Sequence, residues 1–276
     1  MFEEAIIPLD QWVTTLVDWL VDDYREVFQL LKWPIEQMLN GFEHGLTSLH
    51  PLIVILIIAL VALKFSGKRL AVFSYLAMLI IGFLGLWEDA MVTLAMVLSS
   101  VIVCTVLGVP LGIMAGRSDH FEAALRPVLD AMQTTPAFVY LVPIVMLFSV
   151  GNVAGVLATI IFALPPIIRL TGLGIRQVHP ELVEAAQAFG ASRWQVLIKV
   201  QIPLALPTIL AGLNQTIMMA LSMVVIAALI GAGGLGSPVI LGLNTLDIGR
   251  AVVGGVGIVL MAIVLDRITQ SIAQKK

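Results

Sequence analysis

From about residue 49 onward the chain reads as a succession of apolar runs, at 49–64, 70–87, 91–115, 136–150, 153–170, 205–230 and 250–267. About 20 such residues carry one helix across the hydrocarbon layer. A continuous apolar run in lipid satisfies its own backbone polar groups as a helix. The pattern therefore predicts an all-α membrane protein with about seven transmembrane helices. The fourth and fifth runs are short and share a hinge at Ser149–Asn152, so their division is the loosest part of the count. Composition agrees: 59% of residues are apolar and 12% charged, against about 25% charged in a soluble domain. A net charge of −3 argues against a nucleic-acid partner.

Orientation follows from the cations in the short connections. Lys64, Lys68 and Arg69 lie between runs one and two, and Arg117 and Arg126 follow run three. Arg169, Arg176, Arg193 and Lys199 surround the connection after run five, and Arg267, Lys275 and Lys276 close the chain. The opposite connections, Trp87-Glu88-Asp89 and 231–249, carry no cation. One alternation satisfies all of these: N-terminus outside, seven spans, and the C-terminus in the cytoplasm. The expected divisions are an extracytoplasmic segment 1–48, a membrane domain 49–270 and a cytoplasmic tail 271–276.

Residues 1–45 hold nine acidic and two basic residues. The start, Met1-Phe2-Glu3-Glu4, has no basic region and does not read as a signal peptide. Residues 11–32 have helical periodicity, with Val13, Leu16, Val17, Leu20, Tyr24, Val27, Phe28 and Leu31 on one face. With Trp12, Trp19 and Trp33 added, the segment fits a helix along a membrane–water interface. Its acidic character leaves docking on the rest of the protein equally open.

Several motif matches carry no chemistry. Gly231-Ala232-Gly233-Gly234-Leu235-Gly236 spells G-x-G-x-x-G, but a long apolar span precedes it where a dinucleotide fold needs a strand. It reads as a flexible or re-entrant outer connection. Ser66-Gly67-Lys68 lacks the first glycine of a phosphate loop, since Ala62 stands there, and Arg69 replaces the Ser/Thr. His44, His50, His120 and His179 have no metal-ligand spacing, and the lone Cys104 sits in an apolar run. No catalytic residue and no metal site are expected. No run carries an ionisable residue at its centre, which lowers the odds of a proton-driven carrier. Gly108, Gly112 and Gly116 repeat every four residues in run three, a pattern that lets a second helix approach closely. Packing within one subunit and a dimer seam both fit it.

The connection 171–204 carries the most information. Pro180 opens a helix with Glu181 beside it, Glu181–Phe189 reads as helical, and Gly190 is a left-handed stop. Ser192 and Gln195 have capping-box spacing, which predicts a second helix over Arg193–Gln201 before Pro203. The result is a helix–glycine–helix hairpin on the cytoplasmic face, bearing Trp194; docking to a cytoplasmic partner and a solvated loop with incidental helicity both fit it.

Its spelling narrows the reading. Glu184-Ala185-Ala186, Gly190 and Val200-Gln201-Ile202-Pro203 closely resemble the EAA loop of ABC importer permeases, E-A-A-x3-G-x9-I-x-L-P. The departures are Val200 for Ile and Ile202 for Leu. The resemblance spans about 50–270 and implies the type I (MetI-like) permease architecture. Within that class, 133–141, 163–169 and 220–227 look like the permeases of glycine betaine/choline-type osmoprotectant importers.

That resemblance implies two permease copies, or one with a paralogue, in a lipid bilayer, with two separate ABC ATPase subunits and an external solute-binding protein. ATP and magnesium would sit on the ATPase, and no cofactor on this chain. The ATPase-coupling residues would be Glu184, Ala185, Ala186, Gly190 and Pro203, with the hairpin moving as a lever on runs five and six. Candidate path residues are Gln133, Thr134, Phe138, Tyr140, Asn214 and Ser222. An ion-coupled secondary transporter or channel with a regulatory cytoplasmic loop is the competing reading, and it leaves the EAA spelling unexplained.

Overall fold

The computed structural model describes residues 9–274, and all regular structure among them is helical. Met1–Glu4, Lys275 and Lys276 lie outside the described residues. Two helices, α1 (Leu9–Asp23) and α2 (Arg25–Ser48), precede the membrane domain. The expected single helix over 11–32 is thus broken at Tyr24, whose ring meets Trp19 edge-on at 5.0 Å. Then follow α3 (Pro51–Ser66), α4 (Lys68–Phe83), α5 (Trp87–Arg117), α6 (Asp119–Thr134), a 3₁₀ turn at Ala137–Tyr140 and α7 (Leu141–Phe148). The chain continues with α8 (Asn152–Arg176), α9 (Pro180–Ala188), α10 (Arg193–Val196), a π turn at Leu197–Gln201, α11 (Ile202–Ala227), α12 (Gly236–Asn244) and α13 (Ile248–Gln274).

Among the described residues, four continuous helices are long and apolar enough to cross a membrane: Trp87–Arg117, Asn152–Arg176, Arg193–Ile230 and Ile248–Ile272. Counting two bent pairs as broken spans raises the number to six, one short of the seven read from the runs. Length is the reason. Helices α3 and α4 have 16 residues each, about 24 Å at 1.5 Å per residue against roughly 30 Å of hydrocarbon. The fourth run contributes the eight-residue α7, which leaves α6 through a 103° bend.

Helices α5, α8 and α11 form the centre. The glycine seam of run three lies inside this subunit. A Cβ on Gly108 would stand 2.3 Å from Ile167 Cγ2, on Gly112 2.5 Å from Thr171 Cβ, and on Gly116 2.8 Å from Ile175 Cβ. The three glycines are therefore the surface against which α8 packs. On one flank, α13 joins the α3–α4 pair through Val264 and Ile268 packed with Ala62 and Ala77. On another, α2 places Leu39, 1% exposed, in the core with Ile35, Phe42 and Leu46 packed around it. The N-terminal segment is thus partly built into the membrane domain. Helix α1 buries Val17 and leaves Trp12, Val13 and Leu16 exposed.

The two ends of the bundle differ as the cation count demands. Ser66 Oγ donates to Arg267 O at 3.5 Å and Arg176 pairs with Asp119, so the Lys/Arg-rich connections gather at one end. At the other, Gly151 N donates to Ile230 O, Gly233 N to Asn152 Oδ1 and Leu235 N to Thr93 Oγ1. The glycine-rich loop expected to be flexible or re-entrant is held by those bonds, with Ala232 and Leu235 buried, and it leads into the short α12 packed on α13.

Candidate functional site

The hairpin is built from local signals that work in sequence. Pro180 starts α9 at a position where the missing N–H costs nothing. After Ala188 the chain closes a Schellman motif: Ala191 N donates to Ala186 O at 3.0 Å and Gly190 N to Gln187 O at 2.8 Å. Gly190 sits at φ +82 with nothing near a built Cβ, so backbone conformation alone demands glycine there. Two residues on, the capping box is complete. Gln195 N donates to Ser192 Oγ at 3.3 Å, and Ser192 N to Gln195 Oε1 at 2.7 Å.

The second arm differs from the sequence expectation. It does not end before Pro203 but runs on as one apolar helix, Arg193–Ile230. A π turn over Leu197–Gln201 absorbs the break, with Ile202 N bonded to Leu197 O. The wider turn accommodates a residue that has no N–H to give. The hairpin's second arm and the α11 span are therefore one continuous helix.

Val196 and Leu197 are buried beneath α9, and Ala186 is half-buried. Glu184, Ala185, Gly190 and Pro203 are exposed. Beside them Phe189 is 93% exposed and Trp194 69%, with Leu182 and Ile198 also open. Four large apolar side chains standing off a small polar hairpin have the composition of an interface anchor. Phe189 was legible only as a helix end; its signal is an aromatic residue at the C-cap of a helix that needs no packing there.

The first arm is clasped at its root. Arg176 in the last turn of α8 reaches Asp119 at 2.6 Å, Glu122 at 2.8 Å and Ala115 O at 2.7 Å. Seven residues earlier Arg169 pairs with Asp130 at 2.5 Å, and Arg126 pairs with Glu122 at 2.9 Å. These groups rim a cleft of about 330 Å³ whose apolar lining includes Leu129, Ile168 and Leu173. The sequence reading missed α6 and so missed this clasp. Ser118 as N-cap, accepting from Phe121 N, with Asp119 and Glu122 in the first turn, was the available signal.

The path candidates divide into three groups. Gln133 and Thr134 are exposed at the end of α6, and Phe138 is exposed on the 3₁₀ turn beyond Pro136. Tyr140 pins that bend, its hydroxyl donating to Met132 O at 2.7 Å; the turn packs in one apolar cluster with Met223, the neighbour of the exposed Ser222. Asn214 is not with them. It faces α13, donating to Asp266 Oδ1 at 3.4 Å and accepting from Thr269.

The comparisons fit this geometry. The family model described as "Binding-protein-dependent transport system inner membrane component" matches residues 108–276. The chain belongs to this family. It is a membrane transport permease, with ATP hydrolysis on separate partner subunits, and the ion-coupled alternative is set aside. The chain is 55% identical over 273 residues to the glycine betaine/proline betaine transport system permease protein ProW of Escherichia coli K12, covering 99% of this chain and 77% of the relative. It is 46% identical over 270 residues to the glycine betaine transport system permease protein OpuAB of Bacillus subtilis 168, covering 98% and 96%. Among solved structures, an inward-facing form of the MetNI methionine ABC transporter matches with a TM-score of 0.60 at 22% identity, over 66% of this chain and 92% of that one. An amino acid ABC transporter crystallised with histidines matches at 0.59 and 21%, over 73% and 98%. These two likenesses establish the type I permease fold.

Proposed function

We propose that this chain forms the membrane path of an ATP-driven importer for a quaternary ammonium compatible solute, of the glycine betaine, carnitine or choline kind. Two copies, or one with a paralogue, would work with two ABC ATPases and an external binding protein. Glycine betaine and carnitine rest on relatives that match nearly the whole of this chain, and choline on the sequence resemblance. The single observation that carries the mechanism is the exposed apolar hairpin continuous with α11: a groove on the ATPase that seats Phe189 and Trp194 would grip a lever rigidly joined to a span. Glu184, exposed on α9, is placed for a polar contact across that interface, and Ala185 and Ala186 keep the helix slim where it meets its neighbours. ATP-driven closure of the ATPases would then rock α11, and α8 with it, between inward- and outward-facing arrangements.

In this reading α3 and α4 each cross as a short helix, α2 lies outside the membrane and is not part of a broken span with α3, and the resulting seven crossings put the Lys/Arg-rich end in the cytoplasm and the N-terminus outside. The 108° bend between residues 26–48 and 51–66 lays α2 across the direction of α3, along the outer membrane surface, with exposed Trp12 and Trp33 at the interface. The test is uptake of labelled glycine betaine into proteoliposomes holding the permease, its ATPase and the binding protein. Uptake should require ATP on the ATPase side and persist when ion gradients are collapsed. Uptake driven by an ion gradient without the ATPase would refute the proposal.

A further inference from the structure

In the proposed mechanism the hairpin moves α11, yet α13 has no covalent link to the hairpin except through α11 and α12. The side-chain hydrogen bonds that join α11 to α13 converge on one place. Asp266, inside the span Ile248–Ile272, keeps a carboxylate that is 19% exposed. It accepts from Asn214 Nδ2 of α11 at 3.4 Å and from Gln270 Nε2 of its own helix at 2.7 Å. Thr269 Oγ1 completes the group beside Asn214 Oδ1, within 2.8 Å of Leu265 O. The carboxylate fixes which way the Asn214 amide points, since the reversed amide would set oxygen against oxygen.

Asp266 stands near the Lys/Arg-rich end of its span, 3.9 Å from Arg267 Nε of its own helix, and what it offers α11 is a hydrogen-bond acceptor held in a fixed place by Gln270. In lipid no hydrophobic force draws one helix to another, so packing fit and interhelical hydrogen bonds decide how two spans meet. A carboxylate–amide–hydroxyl cluster defines a register. The opposite face of α13 is occupied as well: Val264 and Ile268 pack on Ala62 and Ala77 of the α3–α4 pair, and Ser66 bonds the backbone of Arg267.

We infer that the Asn214–Asp266–Thr269 cluster is the clasp that makes α13, and the α3–α4 pair behind it, follow α11 when the hairpin moves. Asp266 and Asn214 are positioning residues for transport. The inference rests on the hairpin reading above.

The experiment uses the complete transporter in proteoliposomes and reads solute imported per ATP hydrolysed, with membrane level as a check. Asn214→Asp sets two carboxylates side by side, and Asn214→Leu removes both bonds. Each should lower solute per ATP about tenfold, within the range seen for residues that carry coupling, while ATP hydrolysis stays near wild type. Asp266→Asn keeps an acceptor for Asn214 and Gln270 and should stay near wild type. The exchanged pair Asn214→Asp with Asp266→Asn restores a donor facing an acceptor and should recover coupling. Unchanged solute per ATP in both Asn214 variants would overturn the inference. So would loss of hydrolysis and uptake in equal measure without recovery in the exchanged pair. If the single Asn214 variants do not accumulate, coupling in the exchanged pair decides: wild-type values support the clasp and loss overturns it. Gly190→Val, run in parallel, reports on the hairpin separately, because its failure removes hydrolysis and uptake together.

Discussion

Replacing Gly112 by alanine tests whether α5 and α8 are held at the separation the structure shows. A Cβ at residue 112 would stand 2.5 Å from Thr171 Cβ and 2.7 Å from the Ile168 carbonyl oxygen. Ordinary carbon contacts lie at about 3.5–4.0 Å, so the helices must part locally by about 1 Å. The carbonyl is main chain and has no rotamer by which to move aside. Overpacking of this kind costs about 1–3 kcal/mol, and the main-chain obstacle puts Gly112→Ala toward the top of that range. At about 2–4 °C per kcal/mol, the detergent-solubilised permease should lose roughly 5–10 °C of thermal midpoint, read as the monodisperse fraction surviving heating. Gly255→Ala is the matched control: it lies in α13 with nothing within 4 Å of a built Cβ, and helix propensity alone favours alanine there. Equal midpoints for Gly112→Ala and Gly255→Ala would refute the close α5–α8 contact.

Arg176→Ala removes two ion pairs and a bond to Ala115 O from a side chain 33% exposed, and should cost about 1–3 kcal/mol in the same heating assay; Arg176→Lys should fall between it and wild type, and a neutral Arg176→Ala would show that α6 is held by other contacts. Ser192→Ala removes one half of the capping box and should cost about 1 kcal/mol, seen as roughly fivefold faster amide exchange at Gln195; unchanged exchange would show the second arm is held from α11 alone. With Cys104 replaced, cysteines at Asp22 and Asn244 should react with an impermeant thiol reagent from outside, and one at Gln187 from the cytoplasm. Labelling of position 22 from the cytoplasm would reverse the orientation.

The hairpin was legible because every signal in it is local. Pro180, Gly190 and the Ser192–Gln195 pair act through bonds spanning at most five residues, so spacing alone fixes them. The Gly108–Gly112–Gly116 stripe was legible as a close-approach surface, but its partner was not, since Thr171 and Ile175 carry no mark that pairs them with α5. Helix α6 escaped notice because its polar face, Asp119, Glu122, Arg126 and Asp130, resembles a solvated connection until Arg169 and Arg176 are seen opposite it. Pro203 misled for a different reason: a stop signal in isolation, it is overridden by a π turn inside a helix held by tertiary packing. The polar contact of Asn214 was invisible because its partner Asp266 lies 52 positions away at the margin of an apolar run.

The account stands on the hairpin as the coupling element, and two substitutions test it most directly. Gly190→Val forces a β-branched residue to φ +82, a conformation costing such side chains about 1–3 kcal/mol, and so spoils the turn that sets the two arms. Glu184→Lys reverses the charge on an exposed position of α9 and leaves the spans untouched. The measurement is ATP-driven uptake together with substrate-stimulated ATP hydrolysis in reconstituted vesicles, at matched membrane levels. Both variants should lose uptake and stimulated hydrolysis, and Gly190→Val should also co-purify poorly with the ATPase. Wild-type uptake in both would contradict the central claim.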